Sequence, residues 1–219
     1  MNFKYIYIII MMVLSLLNSG CISWDLASLE YGTLETTTIT IDGDNSDWKN
    51  VRNKITDPAN DQTGNSSTDI TKFSAVISGT NMALLMETSG PIAMPHTPGQ
   101  DSSGYGVSIN FFTNTDCYNS GSEFGWVSVE IRADNLGNVL YDSQYFTPPN
   151  TTPSGLFYPT KAAYAGNVLE MEVSLTAIPS NAKSIGFWPR TDSYLAPQGA
   201  TQYDDMNNVN IGNYCFKLP

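Results

Sequence analysis

An alternation of apolar and polar residues predicts that the chain is built from short β-strands. In segment 124–132, Val127, Val129 and Ile131 occupy one face, and polar residues together with Trp126 occupy the other. The same period of two, or a short apolar run, predicts further strands at 37–41, 70–78, 82–87, 105–112, 168–175 and 184–190. Gly79-Thr80-Asn81 and Gly166-Asn167 are turn sequences that predict hairpins. We therefore predict an all-β protein folded as an antiparallel β-sandwich.

Segment 1–21 lacks this alternation. Lys4 gives it a positive start, residues 5–17 form an apolar core, and Asn18-Ser19-Gly20-Cys21 follow. The apolar run is shorter than a typical membrane span and has the proportions of a signal peptide.

The end of this segment resembles a bacterial lipoprotein signal, in which Cys21 becomes the first residue and carries lipid, including palmitate. The sequence differs from the lipoprotein pattern at Asn18, where a leucine is usual; here the leucine, Leu17, lies one position earlier. The resemblance implies a signal peptide at 1–20, a lipidated Cys21 with a tether at 21–36, and a binding domain at 37–219. It also implies a lipid-anchored protein of the bacterial cell envelope, in the outer membrane or at the cell surface. An ordinary cleaved signal and an uncleaved anchor are the alternatives.

The composition favours an extracytoplasmic β-domain. Apolar residues make up 41% of the 219 residues and aromatic residues 11%, whereas only 14% are charged. This mixture, with many Thr, Ser, Asn, Gly and Pro residues, is typical of all-β domains. The net charge of −11 argues against nucleic acid as a partner, because no basic stripe is present to neutralise phosphates. We expect a monomer.

The chain has three cysteines. If Cys21 carries lipid, Cys117 and Cys215 remain as one even pair in an oxidising compartment, and we expect a disulfide between them. This bond would close a loop of about a hundred residues and contribute about 4 kcal/mol to stability if it is unstrained. Two buried thiols are the alternative.

Two segments at opposite ends of the domain carry a recognisable order of residues. The first contains Ile41-Asp42-Gly43, then Asp47-Trp48, and after an acidic loop Thr68-Asp69-Ile70. The second is the run 164–179, Y-A-G-N-V-L-E-M-E-V-S-L-T-A-I-P. Together they resemble family-9-type carbohydrate-binding modules and the wider group of DOMON-like β-sandwich domains. The resemblance implies a jelly-roll or immunoglobulin-like sandwich that binds carbohydrate without catalysis.

Two predicted strands carry a tryptophan on an otherwise polar face. Flat aromatic rings can pack against the C–H faces of sugars while neighbouring polar groups bind their hydroxyls. We predict that five residues on these faces bind the ligand: Trp126, Trp188, Glu130, Arg132 and Arg190. In the resembled modules, paired tryptophans hold the sugar. A loop such as 145–160 that covers Trp126 is the alternative, and Trp48 is expected to pack in the core.

The polar loop at 53–68 is rich in carboxylate and amide oxygens. Oxygen ligands at this density can bind Ca²⁺, so Asp57, Asp61 and Asp69 are predicted ligands of a structural calcium ion. The spacing is not that of an EF-hand loop, and a solvated loop without metal is the alternative.

No catalytic motif is present in the sequence. It contains neither Gly-x-Ser-x-Gly nor His-Glu-x-x-His, and its one histidine, His96, lies among prolines. We therefore expect a non-catalytic envelope lipoprotein that binds carbohydrate. The alternative is a surface lipoprotein that binds a protein or another envelope component. An exposed face shared by Trp126 and Trp188 favours the sugar, and burial of both removes its main support.

Overall fold

The computed structural model describes residues 32–59, 66–92, 102–114, 123–133, 139–147, 150–156, 159–195, 200–205 and 215–219. Residues Tyr31–Pro219 form one compact unit. The predicted signal peptide, the lipidation site Cys21, most of the tether, Asp61 and Cys117 lie outside the described residues. Within the described ranges, no helix has the length and hydrophobicity needed to cross a membrane.

The described residues form strands and two short 3₁₀ turns, Asn45–Asn50 and Leu175–Ala177. In chain order, the strands are β1 (Lys54–Thr56), β2 (Ile70–Ser78), β3 (Asn81–Thr88), β4 (Ser102–Phe112), β5 (Glu123–Ala133), β6 (Val139–Thr147), β7 (Asn150–Leu156), β8 (Pro159–Ala165), β9 (Val168–Ser174), β10 (Ser184–Leu195), β11 (Ala200–Asp205) and β12 (Cys215–Lys217).

These strands form two antiparallel sheets that pack as a sandwich, which confirms the predicted fold class. The five-stranded sheet has the order β1-β2-β3-β9-β8. The seven-stranded sheet has the order β11-β10-β4-β5-β6-β7, with β12 paired to β10. β4 therefore lies between β10 and β5, although about seventy residues separate it from β10 in the sequence.

The main hydrophobic core lies between the two sheets. Leu84 and Met86 on β3 are fully buried, as are Val107 and Ile109 on β4. Contact across the core includes the Phe73 and Phe187 rings, whose centroids are 5.4 Å apart. Because alternate residues of a strand point to opposite sides, the remaining positions of each strand face away from this core.

The outer face of the five-stranded sheet is covered by residues 37–53, the cover segment. Ile39, Ile41 and Trp48 are buried in a second apolar cluster with outward-facing residues such as Val76 and Leu85. The prediction that Trp48 packs in a core is confirmed, since its side chain is only 1% exposed.

The predicted strand at 37–41 is wrong. Thr36 forms only a single parallel bridge with Ile77 on β2. Beyond it, the backbone N–H groups of Ile39 and Thr40 donate to the side chains of Ser78 and Asp47. The segment leaves the sheet edge and crosses the outer face of the sheet. Its alternation therefore reflects burial of Ile39 and Ile41 rather than pairing with a neighbouring strand.

One buried carboxylate on β9 accepts three hydrogen bonds from the cover segment. Glu170 has no exposed surface, and its Oε1 accepts a hydrogen bond of 2.7 Å from Trp48 Nε1. Its Oε2 accepts the backbone N–H groups of Asp42 at 2.9 Å and Gly43 at 2.7 Å. Glu170 faces away from the inter-sheet core, as its strand pattern predicts, but the cover segment shields it from solvent.

Gly43 allows the cover segment to approach β8. Its φ is +86°, and a Cβ there would lie 2.9 Å from the Tyr164 carbonyl carbon. Gly166 also has a positive φ, +57°, but open space around its Cβ position. We expect Gly43→Ala to lower the free energy of unfolding by about 2–4 kcal/mol, because it adds a backbone clash to conformational strain.

Gly166→Ala is the matched control and is expected to cost about 1 kcal/mol, from strain alone. Urea denaturation followed by circular dichroism measures both changes. Equal losses in the two variants would contradict a close approach at Gly43.

The last strand lies beside the segment that enters the domain. Thr33 forms a parallel bridge with Lys217, and Leu34 is buried against the core. Cys215 on β12 is buried and disulfide-bonded. The other half of this bond lies outside the described residues, so the pairing with Cys117 stays a prediction. β12 lies two strands from β4 across β10, and β4 is the strand that precedes Cys117 in the chain.

Candidate functional site

The strand register places residue 188 beside the middle of β4. Trp188 on β10 lies opposite Ser108, and Ser108 lies opposite Ser128 on β5. Residues that are directly opposite in antiparallel strands point to the same face of the sheet. These three positions therefore form one row across the sheet.

The next row contains the second predicted tryptophan position. Asn110 on β4 lies opposite Gly186 on β10 and opposite Trp126 on β5. Because Ser108 and Asn110 are two residues apart on one strand, both rows lie on the same face. Residues 126 and 188 thus share a face on either side of β4, with Cα atoms about 12 Å apart from ordinary strand spacings.

The charged positions lie on this face as well. Gly106 on β4 is opposite both Arg190 and Glu130. Arg132 follows Glu130 by two residues, so the same alternation places it on this face. The register therefore brings all five predicted ligand-binding positions to one face. The side chains of residues 126, 130 and 132 lie outside the described set.

This face points away from the core. On β4, the alternate residues Tyr105, Val107 and Ile109 are buried between the sheets. On β5, Val129 and Ile131 are likewise buried there. The rows that contain Ser108 and Asn110 must therefore lie on the outer face of the seven-stranded sheet.

Trp188 is an exposed indole on this outer face. Its side chain is 37% exposed, and no hydrogen bond or ring contact joins it to any described residue. Trp48 contrasts with it, since Trp48 is 1% exposed and its Nε1 donates to Glu170. Burial and a bonded N–H are typical of a structural tryptophan, whereas an exposed indole without a hydrogen bond is available to a ligand.

Small residues line β4 between the two tryptophan positions. The outward-facing residues along this strand are Gly104, Gly106, Ser108 and Asn110. Gly106 and Ser108 are buried although they face outward, so neighbouring groups rise above them. Sequence reasoning recognised the alternation of this strand but not its place between β10 and β5. No signal within segment 105–112 identifies those two partners.

The loop that was predicted to cover Trp126 is largely sheet. Residues 139–147 and 150–156 form β6 and β7, which extend the seven-stranded sheet beyond β5. The alternative of a loop at 145–160 is therefore wrong for the residues of β6 and β7. Pro153 lies within β7, the last strand in the sheet order, and an edge strand tolerates proline because one side of it needs no ladder hydrogen bonds.

Two of the predicted calcium ligands lie near the start of β2. Asp57 is 9% exposed and Asp69 is 3% exposed. The Asp57 N–H donates to Thr71 O at 3.0 Å, and Asp69 directly precedes β2. Within the part of the chain that the structure describes, no group of three or more His, Cys, Asp or Glu residues could hold a metal ion. Asp61 lies outside that part, so the calcium site stays a prediction.

Comparisons with known proteins give only distant likenesses. No protein-family model matches the chain, and no curated protein matches it significantly. The fold is similar to a family 9 carbohydrate-binding module from Caldicellulosiruptor kristjanssonii in complex with glucose, at 17% identity and a TM-score of 0.47, covering 85% of this chain and 94% of that chain. It is also similar to a family 9 module from the same organism in complex with cellotriose, at 17% identity and a TM-score of 0.46, covering 85% and 92%.

Proposed function

We propose that the outer face of the seven-stranded sheet binds carbohydrate, with Trp188 as the aromatic platform. The observation that carries this proposal is the exposed Trp188 ring, which makes no hydrogen bond or ring contact with a described residue. A pyranose ring offers a flat C–H face to an indole and hydroxyl groups to polar neighbours. Leaving so large an apolar ring in water is unfavourable, and a ligand that covers it removes this cost.

The neighbouring residues supply the polar part of the site. Arg190 is half-buried one row from Trp188, and a guanidinium donates several hydrogen bonds in a fixed plane. Trp126, Glu130 and Arg132 are assigned to the opposite wall of the site because their positions share this face across β4. No catalytic role is assigned to these residues.

We place this domain on the bacterial cell envelope, held by lipid on Cys21. The support is the sequence pattern that ends at Cys21. The measurement is the intact mass of the membrane-extracted protein. An unmodified Cys21, or a chain that retains residues 1–20, would contradict lipidation.

The test of the proposed function is a glycan array probed with the full-length protein. The protein is solubilised in a detergent without a sugar headgroup, so that the detergent does not occupy the site. Selective binding to a class of glycans supports the proposal. A folded protein that binds no glycan contradicts it and would favour the alternative, a protein or another envelope partner.

We also propose that Asp57, Asp61 and Asp69 hold a structural calcium ion. Two of these residues, Asp57 and Asp69, are buried where β1 ends and β2 begins, and Asp61 lies in the segment that joins these two strands. Ca²⁺ supplies charge and takes oxygen ligands. The loop before Asp69 is also held in place, because Tyr105 Oη donates to Ser67 O at 2.9 Å and Thr191 Oγ1 donates to Thr68 O.

Calcium is therefore expected to stabilise the protein. At a concentration of a hundred times the dissociation constant, it should raise the free energy of unfolding by about 2.7 kcal/mol. Asp57→Asn and Asp69→Asn should abolish this response, whereas Asp44→Asn, at an exposed residue of the cover segment, should retain it. Thermal unfolding with calcium and with a chelator measures the effect. Identical curves for the unmodified protein under both conditions would exclude the site.

A further inference from the structure

We propose that Ser108 and Asn110 form the polar floor of the site and hydrogen-bond the hydroxyls of a neutral sugar lying over β4. This inference rests on the proposed carbohydrate-binding function and names residues that bind the ligand together with Trp188. Neither residue is predicted from the sequence as a ligand-binding group. Both are identified by the strand register.

The Ser108 hydroxyl is unusual among the buried hydroxyls. Ser108 is 7% exposed, yet its hydroxyl makes no side-chain hydrogen bond with any residue in the described ranges. Other buried hydroxyls donate to backbone carbonyls, as Ser74 does to Asn53 O at 2.6 Å and Ser184 does to Asn114 O at 2.8 Å. A ligand hydroxyl above β4 would give this group a hydrogen-bond partner.

Asn110 adds a second polar group in the adjacent row. It is half-buried, and its amide makes no side-chain hydrogen bond within the described part of the chain. A carboxamide offers both donors and an acceptor. Sugar hydroxyls also act as both donor and acceptor, so the chemistry of the two partners matches.

The outward-facing neighbours of these groups on β4 and β10 include glycines. Gly104 and Gly106 are the next outward-facing residues along β4, and Gly186 lies opposite Asn110 on β10. These glycines place no side chain over the floor. A ring that stacks on Trp188 and extends toward β5 therefore passes over Ser108 and Asn110.

Charge defines the ligand class. Ser108 and Asn110 are neutral, and the whole chain has a net charge of −11. Because neither residue carries a charge, both match the hydroxyls of a neutral pyranoside rather than the sulfate or carboxylate of an anionic glycan. Arg132 and Arg190 lie on the same face together with Glu130, so the array compares neutral with sulfated and uronic-acid glycans directly.

The decisive variants are Ser108→Ala and Asn110→Asp. Each is expected to weaken binding of the strongest neutral glycan about tenfold, the effect of one lost hydrogen bond to a group that then stays unpaired. Ser108→Ala is also expected to leave the melting temperature unchanged or slightly higher, because it removes a hydroxyl with no protein partner. Ser74→Ala is the matched control. It should lower the melting temperature, since a bonded hydroxyl is lost, without changing affinity.

Titration calorimetry and thermal unfolding of the full-length protein give these readouts. Weaker binding with unchanged stability in Ser108→Ala supports the inference. If Ser108→Ala and Asn110→Asp bind glycan as tightly as the unmodified protein while Trp188→Ala loses binding, the inference is overturned and the proposed function stands. If neither the unmodified protein nor its variants bind any glycan, both the inference and the proposed function are overturned. Preferential binding of anionic glycans overturns the assignment to neutral sugars.

Discussion

Replacing Trp188 by alanine is expected to weaken glycan binding by about 30-fold or more. The free energy of unfolding should fall by no more than about 2 kcal/mol. The binding loss follows because a large aromatic platform contributes most of the apolar contact with a sugar ring. The loss of stability is limited because Trp188 is 37% exposed and makes no hydrogen bond or ring contact with the described residues. Calorimetric titration and urea denaturation measure the two quantities.

Tyr164 offers a matched control for this experiment. It is 36% exposed, nearly the same fraction as Trp188, but it lies on β8 in the other sheet. Tyr164→Ala should leave glycan affinity unchanged. Equal loss of binding in both variants would show that exposed aromatic surface acts non-specifically. Full affinity in Trp188→Ala would remove Trp188 from the site.

Replacing Glu170 by alanine is expected to lower the free energy of unfolding by about 3–5 kcal/mol, a large part of the stability of a typical domain. The carboxylate accepts three hydrogen bonds, from Trp48 Nε1 and from the backbone N–H groups of Asp42 and Gly43. Its removal leaves these donors buried without an acceptor. Trp48→Ala should cost a similar amount, because it creates a large cavity under the cover segment.

Glu172 is the matched control, since it lies two residues away on the same strand and is only half-buried. It accepts a hydrogen bond of 2.9 Å from Asn81 Nδ2, and Glu172→Ala should cost about 1 kcal/mol. Urea denaturation followed by circular dichroism compares the variants.

Coupling between Trp48 and Glu170 can be measured separately. Trp48→Phe removes the indole N–H while it keeps an aromatic ring under the cover segment. The combination of Trp48→Phe with Glu170→Ala should cost less than the sum of the single changes, because both remove the same hydrogen bond. Strict additivity would contradict a direct bond between the two side chains.

Local alternation was sufficient to predict most strands and the class of the fold. In segment 124–132, the buried face of Val129 and Ile131 was predicted correctly. The prediction failed at 37–41, where Ile39 and Ile41 are buried by crossing a sheet rather than by joining it. An alternating pattern reports which side chains are buried, but it does not distinguish a paired strand from an extended segment packed on a sheet.

For the candidate site too, one part could be predicted from the sequence and another part required the strand pairing. Trp126 and Trp188 could each be assigned to a polar face from the sequence, because side-chain direction within one strand follows a period of two. Their presence on one sheet depends on β4, which pairs with β10 through Ser108 and Trp188 and with β5 through Asn110 and Trp126. Ser108 and Asn110 therefore acquire a proposed role only through their neighbours.

The strand-rich character of the domain and the inward or outward direction of most strand residues follow from local sequence patterns, since both depend on contacts within a few residues. The burial of Glu170 beneath the cover segment and the shared outer face of residues 126 and 188 follow from the packing of distant segments. These outcomes depend on pairing between segments far apart in the chain. The register that buries the most apolar surface selects that pairing, and no local pattern specifies it.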